Sequence, residues 1–216
     1  MAGVVGVVLV RHAESAWNAV GRWQGLADPP LSPAGRHQAR AAGHLVSEHP
    51  PSRVVTSPLR RAAETAELLR AGLPGVAPEA EPNLVEYDAG AWTGLTRVEI
   101  ERRWPGLLAR WDAGELDESP GGEPAAPFAR RVVHAVTDIA AGEGKGGASW
   151  VLAVTHGRAL DVLARSLGAA PAPVVHLGGW VVRAHTDHHG GRPALELLRA
   201  VRLGGAPLPA GGEIGA

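Results

Sequence analysis

The chain has 216 residues, of which 45% are hydrophobic, a formal net charge of −1 and no cysteine. That length suits one domain with a proper core, and a near-neutral balance without blocks of like charge gives no footprint for nucleic acid or an anionic membrane surface. The missing cysteine excludes disulfides, thiolate metal sites and cysteine nucleophiles together, and fits a reducing compartment.

The apolar opening MAGVVGVVLV lacks the basic flank and cleavage site of a signal peptide, and no stretch reaches the ~18 apolar residues of a membrane span. A cytoplasmic protein without membrane partners is therefore expected. Short runs of Val, Ile and Leu alternate with longer segments of helical period, which predicts an α/β fold. The expected form is a three-layer α/β/α sandwich with a mostly parallel central sheet and an antiparallel edge strand or hairpin.

Val4 to Val10 is apolar on both faces, as a central parallel strand should be. "LSPAGRHQARAAGHLVSEH" reads as a helix with Ser32 as N-cap, Pro33 at its first position, and Ala39, Ala42, Leu45 and Val46 on one face. A short strand around Val54 and Val55 follows, then Ser57 as cap, Pro58 at the first helical position and a helix stopped by Gly72. Thr96 and Glu99 form a capping-box pattern before a helix that Pro105 interrupts. "PFARRVVHAVTDIAA" is amphipathic, with Phe128, Val132, Val136 and Ile139 on one side, and "GEGKGGA" is a connector. "SWVLAVTHGRALDVLARSLG" is strand, short turn and helix; "WVVRAHTDHHGGRPALELLRAVR" is a hairpin about HHGGRP at a sheet edge, where a second copy could pair to give a homodimer. The expected organisation is one domain over 1–203 and a flexible tail over 204–216.

Three of these units end a strand and at once deliver polar groups: Arg11 and His12 after Val10, Ser57 through Arg61 after Val55, and Thr155 and His156 after Val154. In an open parallel sheet the carboxyl ends of the strands share one edge, where ligands bind. If these strands are neighbours, Arg11, His12, Arg61 and His156 converge. Two guanidinium forks and two imidazoles without a carboxylate cage suit phosphate rather than a metal.

The residues that carry this chemistry also lie in segments that resemble a known family, the histidine phosphatases or phosphoglycerate mutase-like superfamily. "LVRHAESAWN" resembles its signature R-H-G-x-T/S-x-x-N, and "GRWQGLADPPLSPAGRHQA" the segment that follows. "TSPLRRAAETA", "LVEYDAGAWTG" and "AVTHG" resemble its arginine, acidic and second-histidine motifs, in the right order over about Val4 to Gly168. The resemblance implies a metal-independent, cofactor-free phosphatase acting on a small phosphorylated metabolite. It implies that His12 attacks phosphorus to give a phosphohistidine. Arg11, Arg61 and His156 would bind the phosphoryl oxygens with help from Asn18, and Glu86 would protonate the leaving oxygen. Arg22 and Gln24 fall in a loop that helps enclose substrate, and Gly157 and Arg158, which follow the second histidine, are expected to contact substrate as well. A lid is expected over about 96–127, with Arg97, Arg102 and Arg103. Such a set fits the task, because phosphate monoesters react so slowly that positioning and charge stabilisation must supply nearly the whole acceleration. A nucleophilic imidazole must also be kept neutral, which neighbouring arginines favour.

Several positions depart from the pattern. Ala13 stands where glycine is common, Pro58 replaces an aspartate, and Pro124 replaces the serine of a G-G-E-S segment. Arg158 stands where a small residue is more frequent, and could either extend the positive charge towards a substrate carboxylate or second phosphate or simply face solvent. Two rival readings remain: a cofactor-dependent phosphoglycerate mutase-type phosphotransferase, and a non-catalytic phospholigand-binding protein. "NLVEYDAGAWTG" is compact and lacks the N-E-R-H-Y-G pattern of the mutases; a sensor would not need Glu86. "HTDHH" (His185, Asp187, His188, His189) could suggest a metal, but a polar hairpin turn accounts for it. Among the tryptophans, Trp17, Trp23 or Trp92 could border substrate, while Trp104, Trp111, Trp150 and Trp180 suit packing.

Overall fold

The computed structural model describes residues 5–141, 150–170, 172–185 and 194–203. Within them six strands, β1 (Val5–Arg11), β2 (Arg53–Thr56), β3 (Pro78–Ala80), β4 (Trp150–Thr155), β5 (Gly178–His185) and β6 (Ala194–Arg202), form one sheet in the order β3-β2-β4-β1-β5-β6. β3, β2, β4 and β1 run parallel; β5 is antiparallel to β1, and β6 to β5. The helices are α1 (Pro33–Glu48), α2 (Arg60–Leu69), α3 (Arg97–Arg103), α4 (Leu107–Asp112), α5 (Ala125–Ala141) and α6 (Gly157–Ser166).

The unbroken apolar runs of β1 and β4 are explained by cover on both faces. Val8, Val10, Leu152 and Val154 pack with Ala39, Ala42 and Val46 of α1 and Ala62, Ala66 and Leu69 of α2. Val7, Leu9, Val151 and Ala153 pack with Phe128, Val132 and Val136 of α5 and Leu160 and Leu163 of α6. This is the expected three-layer sandwich, parallel except at the β5–β6 side. β6 forms the edge, since β5 also pairs with β1.

Local chemistry follows the sequence in most places. Ser32 caps α1, its hydroxyl accepting from Gly35 N, and the Thr96–Glu99 capping box closes reciprocally at the start of α3. Pro105 and Gly106, the latter in the left-handed region at φ 76°, separate α3 from α4. Two expectations are corrected. α2 starts at Arg60, so neither Ser57 as cap nor Pro58 at the first helical position holds; the cap position is Leu59, without a side-chain bond. The Ser57 hydroxyl instead accepts from Leu59 N at 3.3 Å and meets a second partner outside the helix, described below. In α1, Leu45 is half-buried while Gly35 and Gly43 are buried, because the helix approaches neighbouring backbone too closely there for side chains. Val4, the GEGKGGA connector, the HHGGRP turn and the 204–216 tail lie outside the described residues. No helix among the described residues is long and apolar enough to cross a membrane.

The first turn of α1 rests directly on the loop that leaves β1. Ser32 N donates to the Glu14 carbonyl at 2.9 Å, and the Ser32 hydroxyl donates to Glu14 Oε1 at 2.6 Å. A Cβ on Gly35 would stand 1.9 Å from the Glu14 carbonyl oxygen. Replacing a helical glycine by alanine normally stabilises by about 1 kcal/mol. Gly35→Ala is expected to do the reverse, lowering stability by about 1–3 kcal/mol in urea unfolding, because backbone must move to make room.

Candidate active site

Register brings three strand ends level. Arg11 of β1 lies opposite Thr155 of β4, and Thr56 of β2 opposite Val154. The backbone beyond stays tied: His12 N donates to the Thr155 carbonyl and Ser57 N to the Val154 carbonyl, both at 2.9 Å. Arg61 enters on the first turn of α2, and His156 is the residue that caps α6. The sequence-predicted set Arg11, His12, Arg61 and His156 is therefore brought together at one sheet edge. The His12 and His156 ring centres are 5.2 Å apart, edge to face.

His12 is 2% exposed. Its Nδ1 lies 2.7 Å from the Ala13 carbonyl oxygen, which can only accept, so Nδ1 carries the proton and Nε2 keeps its lone pair. Burial, and then the charges of Arg61 and Arg11, hold its pKa well below 6.5. The loop is pinned by Ala13 N donating to the Thr65 hydroxyl at 3.1 Å, while that hydroxyl donates to the Arg61 carbonyl.

Arg61 is fully buried, with Nη1 and Nη2 donating to the Ala27 and Gly25 carbonyls at 2.7 and 2.9 Å. Burial lowers its pKa to about 10 despite the opposing pull of Glu86 and Asp28, so it stays charged at neutral pH. Arg11 donates through Nη1 to the Val174 carbonyl at 2.8 Å. Ser57, missed as a site residue, stands 2.7 Å from His156 Nε2. Its oxygen accepts from Leu59 N, and its buried proton has no acceptor among the described residues other than that nitrogen, which leaves the imidazole proton on Nδ1. Burial and the charge of Arg61 hold His156 well below 6.5 as well. Three buried N–H groups of this cluster, Arg11 Nε, Arg61 Nε and His156 Nδ1, meet no acceptor among the described residues.

Glu86 sits in the segment between β3 and α3. Its Oε1 accepts from Tyr87 N at 2.9 Å and its Oε2 from Arg158 N at 3.3 Å. The backbone that carries it is braced by Arg131 of α5, another residue the sequence did not disclose. Arg131 donates to the carbonyls of Asn83, Val85 and Glu86 and makes a two-pronged ion pair with Glu123 at 2.8 Å. The G-G-E trace is thus a structural anchor, and Pro124 in place of serine leaves it intact. A signal existed: Arg131 lies three residues from Phe128 on the apolar side of an amphipathic helix, where a charge needs partners.

A cleft of about 300 Å³ adjoins the cluster, walled by Arg11 and Glu86 together with Asn18, Arg22, Gln24 and Arg158. Gly157 does not line it; a Cβ there would lie 3.5 Å from Arg11 Nε, so this position backs the guanidinium instead. Asn18 and Gln24 meet at Ser15, whose hydroxyl is 3.0 Å from Asn18 Oδ1 and 2.7 Å from Gln24 Oε1. Arg22 donates to the Gly94 carbonyl and to Glu99 Oε2, tying its loop to the start of α3. Of the basic residues expected in a lid, Arg97 reaches the cleft wall; Arg102 and Arg103 do not. Trp23 lines the cleft, whereas Trp92 is fully buried. His176, unremarked in sequence, has its ring centre 6.2 Å from that of His12. His185 pairs with Glu196 across the β5–β6 ladder at 2.7 Å, and Asp187, His188 and His189 lie outside the described residues.

The family model of the histidine phosphatase superfamily (branch 1) matches residues 7–182. The chain belongs to the histidine phosphatase superfamily. This histidine phosphatase is 33% identical over 208 residues to glucosyl-3-phosphoglycerate phosphatase of Mycolicibacterium vanbaalenii, covering 89% of this chain and 90% of that one. It is 38% identical over 130 residues to phosphoserine phosphatase 1 of Hydrogenobacter thermophilus; there the match spans 60% of this chain and 61% of the relative. A solved mycobacterial glucosyl-3-phosphoglycerate phosphatase in complex with VO3 superposes with a TM-score of 0.76 at 27% identity, over 91% of this chain and 97% of that one. The histidine phosphatase is thus of the phosphatase branch, a phosphoric monoester hydrolase.

Three neutral imidazoles have a consequence for stability. In the unfolded chain His12, His156 and His176 take protons near pH 6.5, but in the fold burial first, and then arginine charge, depress all three, His176 to about 4. Their folded pKa values lie below the unfolded ones, so the stability they confer is complete above about pH 6.5 and is lost as pH falls through that value towards 4. Urea midpoints should fall between pH 7 and pH 5, above the carboxylate range, and His176→Asn should narrow the difference.

Proposed function

We propose that the enzyme hydrolyses the phosphate monoester of a small metabolite through a phosphohistidine formed on His12 Nε2. The observation that supports this most is the combination of that free lone pair with three buried, acceptorless N–H donors on Arg11, Arg61 and His156. Buried donors rarely go unpaired, and a phosphoryl group brings the oxygens they lack.

In the first step Nε2 attacks phosphorus and the P–O bond to the alcohol breaks. Protonated Glu86 gives its proton to the departing oxygen, leaving a carboxylate and a phosphoimidazole whose positive charge is shared with Nδ1–H and eased by the Ala13 carbonyl. In the second step water attacks phosphorus, yields a proton to Glu86 and displaces the imidazole. The sum is ester plus water to alcohol plus inorganic phosphate, with His12 and Glu86 restored. Arg11, Arg61 and His156 hold the transferring oxygens throughout, with Asn18 beside them. Neither a metal nor a cofactor enters this reading.

The relatives act, by name, on glucosyl-3-phosphoglycerate and on phosphoserine. We take from them a small phosphorylated metabolite as substrate; the absence of cysteine supports a reducing, cytoplasmic setting. Residues 1–203 act as one catalytic domain, with 96–127 as a lid that Arg22 ties to the first loop through Glu99. Strand β6 offers the edge along which a second copy would pair.

His12→Ala should abolish turnover, and acid-quenched wild type should carry an acid-labile, base-stable phosphate that this variant lacks. Arg131 acts as a positioning residue through the Glu86 backbone. Arg131→Gln should cut kcat/KM for alkyl phosphates roughly tenfold, since these need the proton, but should cost much less with p-nitrophenyl phosphate, whose leaving group does not. An equal loss on both would reduce Arg131 to a support of the fold.

A further inference from the structure

Arg158 carries a charge that the phosphoryl cluster does not need. Its backbone N–H faces Glu86 Oε2 at 3.3 Å while its side chain lines the cleft, which sets its guanidinium on the side where the alcohol leaves. The phosphoryl-holding Arg61 and His156 enter from α2 and the start of α6 and are buried, whereas the Arg158 side chain is 42% exposed. The guanidinium is shelved on an indole, 4.7 Å from the Trp111 ring centre, with Tyr87 at 6.0 Å. Trp111 is itself wedged among Trp23, Trp92 and Tyr87 at ring distances of 6.1, 5.4 and 5.3 Å, so the shelf is rigid. Such a surface orients a guanidinium fork and limits its contact with water.

The charge is also poorly compensated. Its acid partner, Asp161 at 3.2 Å, is shared with Arg165 at 3.1 Å, one carboxylate between two guanidinium groups. Arg158 Nε is buried without an acceptor among the described residues. The two other arginines at the outer wall of the cleft differ: Arg22 is matched by Glu99, and Arg97 by Asp112. A lone exposed arginine would need neither an aromatic shelf nor a halved counter-charge.

We propose that Arg158 grips a second anion on the alcohol portion of the substrate, a carboxylate or a second phosphate, and so selects doubly anionic esters; this rests on the phosphatase reading above. The cleft that Arg158 shares with Glu86 has about 300 Å³ and opens to solvent, which leaves room for an alcohol that carries such an anion.

The test compares kcat/KM for glycerol phosphate, phosphoglycerate and glycerol bisphosphate, with p-nitrophenyl phosphate as a general ester. At least one of the two doubly anionic esters should exceed glycerol phosphate roughly tenfold or more, the size expected of a charge-assisted contact; which one does so identifies the anion. In Arg158→Gln that ratio should collapse to within about twofold of unity, whereas Glu86→Gln should slow all three esters and keep the ratio. Equal kcat/KM for the three esters in wild type, an unchanged ratio in Arg158→Gln, or turnover of p-nitrophenyl phosphate without that of either doubly anionic ester would overturn the second-anion site alone. Release of phosphate from none of the four would overturn the phosphatase reading, and this inference with it.

Discussion

Two guanidinium groups, one fully and one partly buried, stand beside two imidazoles and repel one another, and the rest of the molecule is arranged to keep them together. Desolvating such ions costs several kcal/mol each unless polar partners or opposite charge offset it. Here backbone carbonyls do much of that work: Gly25 and Ala27 for Arg61, Val174 for Arg11. Glu86, when it is the carboxylate that proton transfer leaves, supplies opposing negative charge to both arginines. The imidazoles yield instead, staying neutral, which is the state a nucleophile requires. A site that needed its histidines charged could not be built this way.

Rigidity is supplied from both layers of helix. On one side, α1 and α2 lock the loop after β1 through Ser32, Glu14 and Thr65, so that His12 is held by backbone as much as by packing. On the other, α5 reaches across with Arg131 to hold the Glu86 segment by three of its carbonyls. The nucleophile and the proposed acid are thus fixed by different layers, and the sheet edge is where the two meet.

What could be read from the sequence follows from range. The strand ends were legible because polar groups directly follow an apolar run, as Arg11 follows Val10 and Thr155 with His156 follows Val154. Caps were legible where the pattern is local, as for Ser32 and the Thr96–Glu99 box. Ser57 was misread because Ser-Pro after a strand has the local grammar of a helix start, while its actual partner, His156, is 99 residues away. His176 and the contact between Arg158 and Trp111 have no local signature at all; only the fold juxtaposes them. The aromatic cluster was divided in sequence between motif and packing, yet Trp23, Trp92 and Trp111 form one body that reaches the cleft.

The strand order also dictates when during synthesis such a site can exist. β4 lies between β1 and β2, so these two, although made first, have no common neighbour until residues 150–155 arrive. Every chain emerging up to Ala141 holds Arg11, His12 and Arg61 without the strand that aligns them. Pairings this distant close late and slowly, because the loop must be ordered before contact rewards it. His156 comes only with β4, so the cluster is complete only when the centre of the sheet is sealed.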